Sequence, residues 1–128
     1  MSALTDLTAA RYLSLATFRK DGREVATPLW FAESHGKLYV FTLRETGKVK
    51  RLKSSSRARV AQCDMRGGVT GPWIDASARL IADSDTTTRA MTALRDKYGL
   101  AMRIGNLFST LTGRVRRRVV IEIEPRPA

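Results

Sequence analysis

The stretch Leu13-Ser14-Leu15-Ala16-Thr17-Phe18-Arg19-Lys20-Asp21-Gly22-Arg23-Glu24-Val25-Ala26-Thr27-Pro28-Leu29-Trp30-Phe31 decides how this chain folds. Leu13, Leu15 and Thr17 alternate with Ser14, Ala16 and Phe18, the period of two that a strand turns into two faces. Lys20-Asp21-Gly22 breaks the pattern, because Asp-Gly supplies the positive φ that a tight hairpin demands. Arg23 to Glu33 reads as the returning strand, rich in Val, Thr, Trp and Phe. Pro28 inside it removes a ladder donor, so an edge, a bulge or an irregular stretch is expected there. Ser34-His35-Gly36 makes a second turn. Lys37 to Leu43 makes a third strand, with Leu38, Val40 and Thr42 on one face and Tyr39, Phe41 and Leu43 on the other.

Working outward, Thr5 to Tyr12 reads as a short helix with Thr5 or Asp6 as its cap. From Glu45 to about Ser55 the period changes: Val49 and Leu52 suit the buried side of a helix and the Lys and Arg residues its wet side. Arg59 to Met65 returns to strand. Arg66-Gly67-Gly68 and Gly71-Pro72 are turns, and Trp73 to Ala82 is a further strand. Asp83 or Ser84 caps a helix running to Tyr98 and stopped by Gly99, with Met91, Leu94 and Tyr98 as its apolar stripe. Ala101 to Leu111 reads as another short helix, and Val115 to Glu124 as the last strand. About six strands joined mostly by hairpins predict a mainly β (α+β) fold, an antiparallel sheet closed into a small barrel with peripheral helices.

The chain has 128 residues, the size of one domain, so residues 1–128 are read as a single unit. Hydrophobic residues at 43% and charged residues at 27% exclude disorder as the main state. No apolar run approaches the roughly 20 residues of a membrane span. The first residues lack a basic region and apolar core of the signal-peptide kind, so a cytoplasmic protein with no membrane partner is expected. One cysteine, Cys63, excludes an internal disulfide framework and a multi-cysteine zinc site, and one histidine, His35, leaves little for a metal. No metal is therefore expected. Lys and Arg number 23 against 12 Asp and Glu, a net charge of +11. Such an excess speaks about partners: nucleic acid, an anionic surface or a small polyanion. Basic residues concentrate at Arg44, Lys48, Lys50, Arg51, Lys53, Arg57 and Arg59, and again at Arg114, Arg116, Arg117 and Arg118.

No Walker loop, dinucleotide fingerprint or nucleophile elbow is present. His35 sits in a turn and Cys63 in a strand with no histidine near it in sequence. No side chain is assigned a catalytic role, and a cofactor is expected to carry the difficult step. Thr42 closes a strand, the chain turns through Thr46-Gly47, and a helix opens with Lys48 and Arg51 at i and i+3. That arrangement reads as a phosphate site without a P-loop, or as a solvated basic helix. The Pro28 strand, Ala26-Thr27-Pro28-Leu29-Trp30, leaves backbone groups free for the edge of a planar heterocycle. Trp30 is then either core or cofactor wall.

These elements together resemble a known family. Leu13-Ser14-Leu15-Ala16-Thr17, Asp21-Gly22, Ala26-Thr27-Pro28-Leu29-Trp30-Phe31, Gly36-Lys37-Leu38-Tyr39-Val40-Phe41-Thr42, Gly47-Lys48-Val49-Lys50-Arg51-Leu52 and Arg57-Ala58-Arg59-Val60 look like the pyridoxamine 5'-phosphate oxidase-like split β-barrel proteins. More narrowly they resemble the branch that uses the deazaflavin coenzyme F420. The resemblance implies an FMN-binding-protein-like split barrel, a homodimer, and a flavin or deazaflavin in grooves at the subunit interface. It implies that Ala26, Thr27, Pro28 and Trp30 line the ring system, and that Thr42, Lys48 and Arg51 hold the phosphate. Gln62, on an adjacent strand, approaches the ring. Arg57 and Arg114 to Arg118 are the candidates for an oligoglutamate tail. The function expected is hydride transfer between F420 and a small conjugated acceptor. FMN is the alternative cofactor, a non-catalytic F420 carrier a further alternative, and a basic nucleic-acid-binding barrel the last.

Overall fold

The computed structural model describes residues 3–99 and 118–126. In chain order the elements are α1 (Ala3–Ala9), β1 (Tyr12–Phe18), β2 (Glu24–Leu29), β3 (Ala32–Ser34), β4 (Lys37–Leu43), α2 (Gly47–Ser54), β5 (Arg57–Cys63), β6 (Ile74–Ile81), α3 (Ser84–Tyr98) and β7 (Arg118–Pro125). All seven strands join one sheet in the order β2-β1-β5-β6-β7-β4-β3, and every pairing is antiparallel. The expected helix over Ala101 to Leu111 and the cluster Arg114, Arg116 and Arg117 lie outside the described residues.

The two hairpins form as their turn residues require. Gly22 has φ 88°, and the Asp21 carboxylate accepts the Arg23 backbone N–H at 3.0 Å. In the second, Ser34 pairs with Lys37 across a two-residue loop. His35 and Gly36 take φ 53° and 80° there, both positive as a type I′ turn needs. His35 is thus a turn residue in fact as well as in sequence.

One expectation needs correction. Arg23 to Glu33 does not run as a single strand; it is two, β2 and β3, which makes seven strands among the described residues where six were expected. They lie at opposite edges of the sheet, with only Trp30 and Phe31 between them. A flat seven-stranded sheet spans six spacings of about 4.8 Å, roughly 29 Å. Three Cα steps from Leu29 to Ala32 reach about 11 Å at most. The sheet must therefore curl until its edges nearly meet. Pro28 falls on β2, an edge strand, opposite Ser14, where its missing N–H costs no ladder bond.

Curling places Leu13, Leu15, Leu38, Val40, Val60, Ile121 and Ile123 inside the barrel with Phe31 and Leu7. Leu52 of α2 joins this core from one end. On the outside, α3 lays Ala90 on Tyr39, Ile81 and Val120, and Leu94 and Tyr98 on Ala32. α3 is capped by Asp83, whose carboxylate accepts from the Thr86 N–H at 2.8 Å.

The seam at Trp30-Phe31 is closed by the last residue of α3. The Tyr98 hydroxyl accepts the Phe31 N–H at 2.9 Å and lies 2.8 Å from the Arg11 carbonyl and 2.9 Å from the Phe31 carbonyl, either of which takes its proton. Trp30 stacks on the Tyr98 ring, with centroids 4.6 Å apart and planes 9° from parallel. Burial pushes the Tyr98 phenol up to about 12. Beside it, the Lys97 ammonium lies 3.5 Å from the Phe31 ring centroid, buried and without a hydrogen-bond partner among the described residues. Burial, and then the charge of Arg11, bring its pKa down to about 8.

Tyr98→Phe keeps the stacked ring and removes the hydroxyl, leaving a buried N–H unsatisfied. Denaturant unfolding should show a loss of about 1–3 kcal/mol. Lys97 gives a pH test. Its folded pKa lies below its unfolded value, so from about pH 8 upward the unfolded chain holds a proton that the folded one has released. Stability should rise from pH 8 towards 10 in the native protein. A Lys97→Met variant should lack that rise and be the more stable of the two at pH 7, read from unfolding curves at each pH.

Candidate functional site

The start of α2 gathers positive charge. Thr46 is its N-cap, but the Thr46 side chain donates to the Leu43 carbonyl at 2.9 Å instead of capping the helix. The first helical bond runs from the Lys50 N–H to the Thr46 carbonyl, so the N–H groups of Gly47, Lys48 and Val49 stand outside the ladder. The Arg51 side chain folds back over this turn: a Cβ added at Gly47 would come 2.6 Å from Arg51 Nη1. Glycine there admits the guanidinium to the backbone. Arg51 Nε also donates to Thr17 Oγ1 at 2.6 Å, which ties the helix to the end of β1 and leaves the fork's other donors open. Lys48, on the same turn, is 8% exposed.

These cations are not neutralised. No ion pair among the described residues involves Lys48 or Arg51. Burial lowers the Lys48 pKa, and the charge of Arg51 lowers it further. Burial, then the charge of Arg19, lowers Arg51. A buried Lys48 and a partly exposed Arg51 on one turn, beside unpaired backbone donors, form a receptor for an anion.

A cleft of ≈ 410 Å³ opens from this point, lined by Phe18, Arg19, Lys20, Lys50, Arg51 and Ser54. Arg57 stacks on Phe18, its guanidinium 3.9 Å from that ring centroid, but lines a separate cleft of ≈ 420 Å³ with Asp75 and Arg126. Arg19, Lys20 and Lys50 were not singled out from the sequence as ligand-binding. They meet only because α2 lies against the tip of the β1–β2 hairpin, a non-local fact. Thr17 did carry a signal: it is a hydroxyl at a core-facing position of an alternating strand.

The other expected site residues are spread over two faces. Thr17 pairs with Val25, so Ala26 sits one residue from the Arg51 contact. Ala26 and Pro28 share the outer face with Ala16 and Ser14, while Thr27 lies opposite Leu15 on the core face. Pro28 and Trp30 line a second cleft, of ≈ 260 Å³, with Tyr12, Leu29, Phe41 and Met65. From Ala26 to Trp30 is about 14 Å of strand, so the cation cluster and the aromatic cleft lie at two ends of β2. Trp30 is both packing for the seam and wall of this cleft. Gln62 pairs with Leu13, on the core side, and packs against Gly71; the structure does not bring it to the outer face of Ala26 and Pro28. Thr42 is buried in line with Leu38 and Val40. Arg118 stacks on Phe41 at 4.4 Å and lines a different groove from Arg57.

The buried carboxylate of Glu122 is fully engaged elsewhere. It accepts from Tyr39 Oη and Arg79 Nε at 2.8 Å each and from Lys37 at 3.4 Å. Burial alone would raise its pKa, but those hydrogen bonds and charges outweigh it and hold it below the ordinary glutamate value. It is a fixed structural anion on the β4–β7–β6 surface. Among the described residues no group of three His, Cys, Asp or Glu could hold a metal, and no helix is long and apolar enough to cross a membrane.

No curated protein matches the sequence at a significant level. Solved structures do match the fold. It is similar to a conserved hypothetical protein of Mycobacterium tuberculosis, at 20% identity and TM-score 0.73 over 98% of this chain and 81% of that one. It is similar to HutZ, the heme storage protein of Vibrio cholerae, at 13% identity and TM-score 0.73 over 98% and 89%. It is also similar to a FAD-binding protein of Mesorhizobium loti, at 22% identity and TM-score 0.65 over 98% and 89%. At these identities the likeness speaks for the fold alone. The sequence itself matches the family model described as pyridoxamine 5'-phosphate oxidase over residues 3–127. With an antiparallel sheet curled until its edges nearly meet, and a match running almost end to end, the chain belongs to the pyridoxamine 5'-phosphate oxidase family.

Proposed function

We propose that this chain is an oxidoreductase that binds coenzyme F420 and moves hydride between the deazaflavin and a small conjugated organic acceptor, working as a homodimer. The observation that carries this reading is the cation pair of buried Lys48 and partly exposed Arg51 at a helix start without a side-chain cap, with no carboxylate paired to it among the described residues. A phosphate followed by a string of carboxylates matches that cluster and the basic cleft beyond it. FMN, with one terminal phosphate, would leave most of those cations without a ligand group. Bound there, the deazaflavin supplies two-electron chemistry at its ring.

The chain's own residues then have separate tasks. Lys48, Arg51 and the first-turn N–H groups of α2 hold the phosphate. Arg19, Lys20, Lys50 and Arg57 neutralise the tail. Pro28 and Trp30 set the ring's position at the far end of β2 and exclude water from one side. Both clefts are open grooves, and a second copy laid across them would complete their walls. A flavin in the same place is the second reading, favoured by the likeness of the fold to the FAD-binding protein of Mesorhizobium loti. Parallel spectral titrations with F420 and FMN decide between them: F420 should bind more tightly, and tighter FMN binding would reverse the assignment.

Replacing both Lys48 and Arg51 by Ala should weaken F420 binding by at least ~2 kcal/mol, roughly 30-fold, with the circular dichroism spectrum unchanged. Unaltered affinity would remove the phosphate assignment. A second outcome concerns salt. The tail cleft is exposed, and free charges are screened over about 8 Å at 0.15 M. F420 with a longer glutamate tail should bind more tightly at low ionic strength, and the advantage should shrink as salt rises; FMN should respond less. If tail length has no effect at low salt, the basic surface serves another partner, nucleic acid among them.

A further inference from the structure

A further cleft lies elsewhere. It has ≈ 540 Å³ and is bounded by the β4–α2 junction, α2, the end of β6, the first turns of α3 and the start of β7. Its apolar lining is Val49, Leu80, Ile81, Ala82, Val119 and Val120, beside the hydroxyls of Ser84, Thr87 and Thr88. Its rim carries Arg44, Lys53 and Arg118, and neither Asp nor Glu lines it. It shares no lining residue with the cleft beside Arg51. Val49 and Lys53 belong to α2, like Lys50 and Arg51, but lie on its other flank, so one short helix separates two basic clefts of different character. The Arg51 cleft is floored by one aromatic ring among cations. This one sets aliphatic side chains and three hydroxyls beside cations.

That combination selects a ligand by two features at once. An apolar floor of this extent gains from burying a hydrocarbon, and a volume of this size falls within the range of small-molecule sites. The rim cations reject a ligand bearing positive charge and favour an acid group. Burial lowers the pKa of Arg118, while Arg44 and Lys53 are exposed and free to close on a head group.

We propose that this groove is a binding site for an alkyl carboxylate, the chain lying on Val49, Leu80, Ile81, Val119 and Val120 and the carboxylate meeting Arg44 and Lys53. The site is independent of the cofactor reading above, and its test needs no cofactor.

Decanoate, 1-decanol, decyltrimethylammonium and inorganic phosphate are titrated calorimetrically into the full chain. Decanoate should bind, with the alcohol about tenfold weaker for want of its charge-assisted contacts and the ammonium amphiphile undetected. Arg44 and Lys53 are at the surface, so Arg44→Glu/Lys53→Glu should fold normally and lose decanoate binding. Lys48→Ala/Arg51→Ala should retain it. Equal binding of decanol would make the groove merely greasy and overturn the proposal. Phosphate competing as well as decanoate would make it a simple anion site, and loss of binding in the Lys48→Ala/Arg51→Ala variant would move it to the other cleft; either result also overturns it. Failure of decanoate to bind while F420 still binds would reject this site and leave the cofactor reading standing.

Discussion

Trp30 and Phe31 are a two-residue bridge between the outermost strands of a seven-stranded sheet, and that shortness governs the rest. A bridge so short forbids an open sheet. It brings a backbone segment with no sheet partner to the junction, and buried backbone groups must find partners. Tyr98 supplies one from outside the sheet, through a hydroxyl that serves as acceptor and donor at once. The position of α3 follows, because its last residue must reach the seam. So does the aromatic cleft, since the Trp30 ring that packs on Tyr98 also lines it. Closure and cleft therefore share the same side chains.

Much of this was legible in the residues. Alternation at Leu13 to Phe18, the Asp21-Gly22 turn and the His35-Gly36 turn are local signals, and each element they mark is present. The break between β2 and β3 was not legible. Leu29-Trp30-Phe31-Ala32 continues an apolar run without Gly, Asn or Asp, and what splits it is a hydroxyl 67 residues away in sequence. Pro28 pointed to an edge strand for a local reason, the missing N–H, and so could be read. Tyr12 leaves the expected helix for β1, where it pairs with Cys63 of the neighbouring strand β5.

The site divides in the same way. Lys48 and Arg51 are three apart on one helix, so their proximity could be read from spacing. The partner of Arg51, Thr17, and its neighbours Arg19 and Lys20 come from a different hairpin and needed the fold. The same holds for the groove behind α2. Val49 looked like ordinary helix core, and only its juxtaposition with Leu80, Val119 and Val120 makes it a floor. Charge density along a sequence shows that anions matter; topology decides how many kinds of anion a surface can tell apart.

The place of β7 has a consequence for biosynthesis. It is the last strand in chain order, yet it lies between β6 and β4 in the interior of the sheet. As the polypeptide emerges from the ribosome, β2-β1-β5-β6 and β3-β4 can form as separate ribbons, each with a bare edge where β7 belongs. Every contact that joins them along this edge waits for residues 118–125. Until then two hydrogen-bonding edges stay unpaired, a template for pairing with neighbouring nascent chains. Strand insertion into the middle of a sheet is also a high-contact-order event, which slows it. The expected hazard for this protein is therefore premature truncation: loss of the final strand leaves two sticky half-sheets, a worse outcome than losing an edge.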